Sequence, residues 1–270
     1  MPSRLEEIVA ASRKRVAAAK SSADLRALAA KAEAQTPRGF GKNLRRVPAA
    51  GGVAVIAELK KASPSKGLIR SDFPVAELAH ELEQAGAAAL SVLTDQQFFQ
   101  GSLENLELAA RATSLPCLRK DFILDDFQLL EARAYGASAV LLIVAALPQP
   151  ELENLHRRAG HFDLDVLCEV HDAAELQRAI DAGCGIIGVN NRNLHTFQVD
   201  INVSLELAAR MPATALKVAE SGINTGDDIA RLRQAGFDAV LIGESLMRAP
   251  RPGDALRELL AGAVSAGPRH

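Results

Sequence analysis

The feature that most constrains the fold of this chain is a regular alternation of apolar runs and helical segments. The apolar runs have strand-like composition and cover 53–59, 87–93, 115–119, 137–144, 164–170, 185–190, 214–220 and 238–243. The segments between them have helical spacing and cover 74–85, 103–113, 126–135, 149–159, 172–182, 202–210 and 225–235. This alternation predicts an α/β fold, a closed (β/α)8 or TIM barrel. An open doubly wound sheet is the alternative, but its usual Gly-rich fingerprint is missing after the first run.

An internal repeat of glycines favours closure. Gly86, Gly136, Gly183 and Gly236 each follow a helical segment and precede an apolar run. Glycine at such a position suits a helix C-terminus, because it tolerates the left-handed backbone conformation. Each interval spans two strand–helix units, and four such periods make the eight units of a barrel.

The first fifty residues differ from the rest. Leu5, Ile8 and Val16 form a weak apolar stripe of helical spacing, and a second helical piece begins near Asp24. Pro37, Gly39, Gly41 and Pro48 then interrupt any periodicity. We expect residues 1–50 to be an N-terminal helical extension and residues 51–270 to be the barrel, together one structural domain. The extension either packs over a site or is a solvated arm.

Charge and cysteine content exclude several classes of partner and site. The net charge is −2, which indicates no nucleic-acid or membrane partner. Cys117, Cys168 and Cys184 are widely separated in apolar surroundings, so we expect core residues and neither a disulfide framework nor a zinc site. No segment has the pattern of a signal peptide or a membrane span, and we expect a cytoplasmic protein.

An acid and a base follow the first apolar run. Side chains alternate along a strand, so Ala54, Ile56, Glu58 and Lys60 share one face. Buried Glu58 and Lys60 would be costly unless they paired with each other or with a ligand. The alternative is that the strand has simply reached solvent there.

Polar residues also follow most of the other runs. In a barrel these positions meet at one rim, where the function of the fold resides. Lys60, Lys120, Glu58 and Glu169 are the candidates for proton transfer, with structural ion pairs as the alternative. His171 and His195 lie near the rim without a predicted partner, and no His, Asp or Glu cluster has metal-ligand spacing, so no metal is expected.

The last two strand ends predict a phosphate site. Ser221-Gly222 precedes a helix that opens at Asn224-Thr225, and Gly243-Glu244-Ser245 opens a short helical turn. Loops after strands seven and eight commonly bind phosphate in this architecture through backbone N–H groups. Ordinary tight turns are the alternative for each of them taken alone.

Together the strand ends resemble the motifs of the indole-3-glycerol phosphate synthases. The similarity runs in order along the chain through Ala57–Ser65, Leu93–Ser102, Leu118–Phe122, Leu167–His171, Gly188–Leu194, Ala219–Ile223 and Leu241–Met247. It implies a monomer whose extension covers the barrel mouth and whose partner is a small phosphorylated substrate, 1-(2-carboxyphenylamino)-1-deoxyribulose 5-phosphate. The implied reaction is ring closure with loss of carbon dioxide and water, and it implies no cofactor.

The resemblance also implies roles for individual residues. Lys120 would be the acid at the developing alkoxide, and Glu169 and Lys60 would be base and second acid in the dehydration. Glu58 would orient the lysines and Asn190 would hold the reacting groups. Substrate and phosphate contacts would come from Ser63, Arg192, Ser221, Gly222, Gly243 and Ser245, and the ring walls from Phe99 and Phe122. Two alternatives keep the barrel: a phosphosugar isomerase or aldolase, and a non-catalytic sugar-phosphate sensor.

Overall fold

The computed structural model describes residues 4–193 and 196–265, so Leu194 of the fifth motif and His195 lie outside the described residues. Eight parallel strands form a closed barrel in which each strand pairs with its neighbours in sequence and β1 also pairs with β8. The strands are β1 Ala54–Leu59, β2 Ala89–Leu93, β3 Cys117–Lys120, β4 Ala139–Ile143, β5 Asp165–Val170, β6 Ile186–Asn190, β7 Leu216–Glu220 and β8 Ala239–Ile242. The predicted closed barrel is confirmed, and the open doubly wound sheet is not formed.

Helices connect the strands and surround the barrel. The N-terminal helices are α1 Arg4–Ser22, α2 Leu25–Glu33 and α3 Phe40–Ala49. The others are α4 Val75–Gln84, α5 Gln96–Phe99, α6 Leu103–Ala112, α7 Phe127–Ala134, α8 Gln149–Gly160, α9 Ala173–Asp181, α10 Asn202–Ala208, α11 Gly226–Gln234, α12 Glu244–Arg248 and α13 Pro252–Ser265. A hairpin (Ala62–Ser63 and Gly67–Leu68) follows β1, and a 3-10 turn (Val144–Ala146) follows β4. The predicted helical segments from 74 onwards all lie on these helices.

The two faces of each strand pack against different partners. On β1, Val55, Ala57 and Leu59 belong to the apolar layer between the barrel and its helices. Ala54 and Ile56 belong to the second apolar cluster, inside the barrel. Parallel strands covered on both faces are hydrophobic throughout, which is why the runs are visible in the sequence. The polar residues at the strand ends therefore stand out from an apolar interior.

The repeated glycines end helices as expected. Gly86, Gly136, Gly183 and Gly236 have φ values of 98°, 86°, 76° and 90°. Two features disfavour a side chain at Gly136. Its φ is positive, and an added Cβ would lie 2.8 Å from the Cβ of Ala110.

Residues 40–49 form the helix α3, although Pro37, Gly39, Gly41 and Pro48 interrupt the sequence periodicity there. Phe40 and Leu44 are fully buried in the cluster inside the barrel. The backbone N–H of Gly41 donates to Asp165 Oδ2 at 2.9 Å, and Asp165 is the first residue of β5. This short helix is stabilised by burial at the amino ends of the strands, which helical periodicity does not report.

The expectation for the cysteines is correct in burial and wrong in pairing. Cys117 is buried and unpaired, but Cys168 and Cys184 form a disulfide with their Cα atoms 6.4 Å apart. Cys168 lies in β5, and Cys184 lies just before the neighbouring parallel strand β6. They are 16 positions apart in sequence, yet the crossover through α9 brings them side by side.

None of the described helices combines the length and the apolar character that crossing a membrane requires.

Candidate active site

The carboxyl ends of the strands enclose a cavity of about 170 Å³. The predicted catalytic residues Glu58, Lys60, Lys120, Glu169 and Asn190 all line this cavity. So do five of the predicted substrate-contact residues, Ser63, Phe99, Phe122, Arg192 and Ser221. The barrel therefore brings together residues that lie more than a hundred positions apart in sequence.

Lys120 is the centre of the charged cluster. Its Nζ lies 3.1 Å from Glu169 Oε2 and also bonds the carboxylate of Glu220. Burial lowers the pKa of this ammonium, but Glu220, Glu169 and Glu58 outweigh it and raise the pKa above its usual value. Lys120 is therefore a cation at neutral pH, held between carboxylates from β5 and β7.

Glu58 and Lys60 form a second ion pair on the inward face of β1. Lys60 Nζ lies 2.5 Å from Glu58 Oε1, and Ser91 Oγ donates to Glu58 Oε2 at 3.3 Å. Glu58 is only 3 % exposed, so this strand does not simply end in solvent. Burial raises the pKa of the Glu58 carboxyl, but the nearby Lys60 and Lys120 outweigh it and lower the pKa.

Glu169 lies between two cationic side chains. Its Oε2 contacts Lys120, and its Oε1 lies 3.4 Å from His171 Nε2. Burial raises the pKa of this carboxyl, but Lys120 and His171 outweigh it and bring the pKa below its usual range. The expectation that His171 lacks a partner is wrong, since its Nδ1 is also 2.9 Å from Glu175 Oε2.

Glu220 is a site residue that the sequence reasoning did not select. It is buried, its Oε2 bonds Lys120, and its buried Oε1 has no hydrogen-bond partner among the described residues. Burial raises its pKa to about 7. The glycine at position 188, on the neighbouring strand, is related to the position of this carboxylate. An added Cβ at Gly188 would lie 2.2 Å from Glu220 Oε1. A glycine there leaves room for a carboxylate.

The strand-seven and strand-eight ends form the opposite side of the mouth. Ser221 and Gly222 both have positive φ, 66° and 77°. Ser245 Oγ is buried without a hydrogen-bond partner in the described part of the chain. Gly222, Gly243 and Ser245 do not line the cavity directly, whereas Ser221 and Glu244 do. Arg192 Nη2 lies 4.0 Å from Glu244 Oε2.

The start of α11 is already capped within the chain. Thr225 Oγ1 accepts from the N–H of Asp228, and the Asp228 carboxylate accepts from the N–H groups of Asn224 and Thr225. These donors are occupied by a capping box. The N–H groups of Asn224, Thr225 and Asp228 are therefore already satisfied within the chain.

Apolar side chains form one wall of the cavity. The rings of Phe99 and Phe122 lie 6.5 Å apart at an angle of 38°. Leu5 and Ile8 from α1, and Leu141 from β4, also line it. This wall suits a planar apolar group beside the charged cluster.

Helix α1 is joined to the site by a partly buried ion pair that the sequence did not reveal. Arg15 Nη2 lies 2.7 Å from Asp121 Oδ1 and 3.6 Å from Asp95 Oδ2. Asp121 directly follows Lys120 and also pairs with the buried Arg119 at 3.0 Å. The N-terminal extension thus contacts the end of β3.

Among residues 4–193 and 196–265, no group of three or more His, Cys, Asp or Glu side chains is arranged to hold a metal ion. The polar side chains of the cavity pair with one another instead.

Comparison with known proteins gives one family. The model of the family described as "Indole-3-glycerol phosphate synthase" matches residues 5–259. A protein of that name from Koribacter versatilis is 60 % identical over 260 residues, covering 96 % of this chain and 100 % of the relative. One from Albidiferax ferrireducens is 50 % identical over 258 residues, covering 95 % of this chain and 98 % of the relative.

Solved structures of lower identity share the fold. Thiamine phosphate pyrophosphorylase from Pyrococcus furiosus superposes with a TM-score of 0.60 at 17 % identity, covering 83 % of this chain and 98 % of that one. Mandelate oxidase with (S)-2-phenylpropionate superposes with a TM-score of 0.60 at 22 % identity, covering 79 % and 73 %. At these identities the likeness concerns the barrel alone.

Proposed function

The chain belongs to the indole-3-glycerol phosphate synthase family, and we propose on that basis that it catalyses the family's reaction. The substrate is 1-(2-carboxyphenylamino)-1-deoxyribulose 5-phosphate. An aromatic carbon attacks the ribulose ketone, the ring carboxylate leaves as carbon dioxide, and one water is lost. The products are indole-3-glycerol phosphate, carbon dioxide and water. The observation that carries the proposal is the meeting of Lys120, Lys60 and Glu169 in one cavity.

Lys120 is the acid for ring closure in this proposal. Attack on the ketone creates an alkoxide, which is a stronger base than an amine, so even an ammonium of raised pKa can stabilise or protonate it. The carboxylates around Lys120 hold it in the cavity before substrate arrives. Glu220 is one of them, and we assign it the role of positioning Lys120.

The dehydration needs a base and an acid. Glu169 is ionised because its pKa is low, so it can accept a proton made acidic by the neighbouring iminium nitrogen. Lys60 is the acid for the leaving hydroxyl or the partner of the substrate carboxylate, and Glu58 orients it at 2.5 Å. Asn190 holds the reacting groups from the end of β6.

The remaining contacts bind the two ends of the substrate. Phe99 and Phe122 wall the anthranilate ring and exclude water from it. The phosphate lies near the β7 and β8 ends, where Ser245 Oγ has no partner among the described residues. The residues assigned as substrate and phosphate contacts are Arg192, Ser221, Gly222, Gly243 and Ser245, with Ser63 near the phosphate or the carboxylate.

On the family resemblance, the protein is proposed to act in the cytoplasm as a monomer. Residues 1–50 are an extension of the barrel domain whose first helix borders the mouth through Leu5 and Ile8. Helix α3, at the other end of the barrel, has a structural role in this scheme.

The direct test is formation of indole product, followed by ultraviolet absorbance, with purified protein in the presence of a chelator. Lys120→Ala and Glu169→Gln should each lower kcat by at least about a hundredfold while circular dichroism shows a folded barrel. Well-folded wild-type protein that gives no product would contradict the function. Near-normal turnover by Lys120→Ala would remove Lys120 from the acid role.

A further inference from the structure

A histidine outside the proposed catalytic set connects two carboxylates at the end of β5. His171 Nε2 lies 3.4 Å from Glu169 Oε1, and His171 Nδ1 lies 2.9 Å from Glu175 Oε2. Glu175 lies in the first turn of α9, which starts two residues after His171. The imidazole side chain is 10 % exposed. The arrangement is a carboxylate–imidazole–carboxylate series running from the helix start into the cavity.

Glu175 holds this histidine at two points. The same oxygen, Glu175 Oε2, accepts from the backbone N–H of His171 at 2.9 Å and contacts the ring nitrogen Nδ1 at 2.9 Å. The start of α9 is capped separately, by Asp172 Oδ1 accepting from the N–H groups of Ala174 and Glu175. Because the helix cap is complete without His171, capping does not account for the ring's contact with Glu169.

The two oxygens of Glu169 face different cations. Oε2 contacts Lys120 of β3, and Oε1 faces His171. The charged groups that act on His171 are Glu169 from its own strand and Glu175 from α9. Glu220 of β7 lies on the far side of Lys120 and acts on Glu169 from there. Glu169 Oε2 is hydrogen-bonded to Lys120, and Oε1 makes an ion-pair contact with His171 Nε2, a buried nitrogen that has no hydrogen-bond partner among the described residues.

We propose that His171 is a positioning residue of the reaction: as an imidazolium held by Glu175, it fixes and keeps ionised the carboxylate of Glu169. This inference rests on the proposed function, in which Glu169 is the base. When substrate engages Lys120, His171 remains as the partner that keeps Glu169 in place. Two fixed ring nitrogens suit this task better than a flexible ammonium.

The charge state of the ring supports the proposal. Burial lowers the pKa of His171, but Glu169 and Glu175 outweigh it and raise the pKa to about 10. The ring is then a cation across the neutral range. A cation within about 4–6 Å lowers the pKa of a carboxyl by about 1–3 units, so loss of this charge should raise the pKa of Glu169.

The test compares kcat, KM and the pH profile of kcat/KM for wild type, His171→Gln, His171→Arg and Glu175→Gln. His171→Gln should lower kcat about 10- to 100-fold with little change in KM, and move the acid limb of the profile up by about 1 pH unit or more. His171→Arg, which keeps a cation, should return the limb toward its wild-type position. His161→Gln is the matched control, since His161 is exposed at the end of α8, and should match wild type.

A second measurement does not depend on activity. The ring signals of His171, followed by NMR from pH 5 to 9, should stay in the imidazolium form through pH 8, and Glu175→Gln should move their titration to lower pH. The proposal would be overturned if His171→Gln had the kcat of wild type and an unshifted acid limb in its pH profile. It would also be overturned if His171 titrated at or below pH 6.5. Equal losses in His171→Gln and His171→Arg without a shift of the limb would overturn it as well. Wild-type protein without turnover would contradict the proposed function instead, and the NMR titration would still test the charge of His171.

Discussion

At the scale of single residues, the site is a balanced set of buried charges. Glu58, Glu169 and Glu220 are each 3 % exposed or less. Lys60, Lys120 and the imidazolium of His171 lie within ion-pair distance of them. A buried charge is tolerable when its partners are present and costly when one is removed. Each charged residue is therefore tied to stability as well as to chemistry.

Replacing Lys120 should make stability depend on pH in a new way. In Lys120→Met the buried carboxyls of Glu169 and Glu220 lose a cation, so both folded-state pKa values rise, and that of Glu220, which burial already raises to about 7, moves further above its unfolded value. Stability from such groups is present at low pH and is lost as the pH rises. In urea unfolding, the free energy of unfolding of Lys120→Met should be lower than that of wild type. This deficit should be larger at pH 8 than at pH 5, by about 1.4 kcal/mol for each unit of raised pKa.

The control for this measurement is Lys42→Met, because Lys42 is exposed on α3. Its deficit should be small and the same at both pH values. A Lys120→Met deficit that does not change between pH 5 and pH 8 would mean that the carboxyls find other partners or water.

His171 should stabilise the folded protein in a defined pH window. Its pKa is raised from an ordinary 6.5 to about 10 in the folded state. A raised pKa contributes stability that is complete below the unfolded pKa and is lost as the pH approaches the folded pKa. The difference in free energy of unfolding between wild type and His171→Gln should therefore shrink from pH 6.5 to pH 10. A constant difference in chemical denaturation over this range would contradict the raised pKa.

The sequence predicted part of this residue set for a physical reason. Lys120 and Glu169 end apolar strands, where a charge is conspicuous. Glu220 also ends a strand. However, its contact with Lys120, and the lack of a hydrogen-bond partner for its Oε1 among the described residues, both depend on barrel closure. Glu175, the partner of His171, lies four residues further along in the first turn of α9, and the sequence there shows only an ordinary capped helix start. Side-chain contacts across the barrel depend on tertiary structure, and the pattern of residues at the strand ends does not predict them.

At the scale of elements, α1 contacts the barrel through ion pairs that differ in how deeply they are buried. Arg15 reaches the buried Asp121, whereas Arg13 pairs with Glu151 at 3.2 Å with both side chains nearly half exposed. Exposed pairs contribute little, and loss of a partner to a buried charge costs more. The two arginines lie on one helix, so they form a matched pair for substitution.

Arg15→Gln should loosen α1 while Arg13→Gln should not. We expect Arg15→Gln to lower the free energy of unfolding by about 1–3 kcal/mol and Arg13→Gln by less than about 0.5 kcal/mol. Since Leu5 and Ile8 of α1 line the cavity, Arg15→Gln should also raise KM several-fold and speed amide exchange in α1. Equal effects of the two variants would mean that α1 is held by its apolar contacts instead.

Helix α3 shows where periodicity fails as a predictor. Its Gly and Pro residues are poor helix formers, so local preference is weak. Its helicity comes from Phe40 and Leu44 entering the barrel at the amino ends of the strands. The strands and their connecting helices, by contrast, repeat one pattern and were predictable. The disulfide between Cys168 and Cys184 was missed for the same tertiary reason as α3.

Truncating the aromatic ring of α3 should test its structural role. Phe40 is fully buried, and Phe40→Ala should cost about 3–5 kcal/mol of unfolding free energy, as large cavities in cores do. Because no residue of α3 lines the cavity, kcat and KM of the folded fraction at 15 °C should be unchanged. Leu25→Ala on α2 is the control, since Leu25 is 50 % exposed and its loss should cost about 0.5 kcal/mol or less. A large drop in kcat at low temperature would show that α3 acts on the site.

At the scale of the whole molecule, the closed barrel links the mouth to the opposite end. Each of the eight barrel strands pairs with two neighbours, and the apolar layer outside the barrel is one continuous cluster. A ligand that binds only the folded state stabilises it by an amount that depends on its concentration over its Kd. In a single cooperative unit that stabilisation reaches every residue whose amide exchanges by global unfolding.

Indole-3-glycerol phosphate at about 100 times its Kd should therefore stabilise the protein by about 2.7 kcal/mol. That corresponds to a rise in Tm of roughly 5–10 °C for a chain of this size. Amide exchange should slow at Leu44 in α3 by the same factor as at Lys120 at the mouth, because Leu44 is buried inside the barrel and Lys120 is part of its strand β3. Arg192→Ala should need a higher ligand concentration for the same rise in Tm. Exchange that slows at Lys120 but not at Leu44 would show that the two ends of the barrel unfold independently.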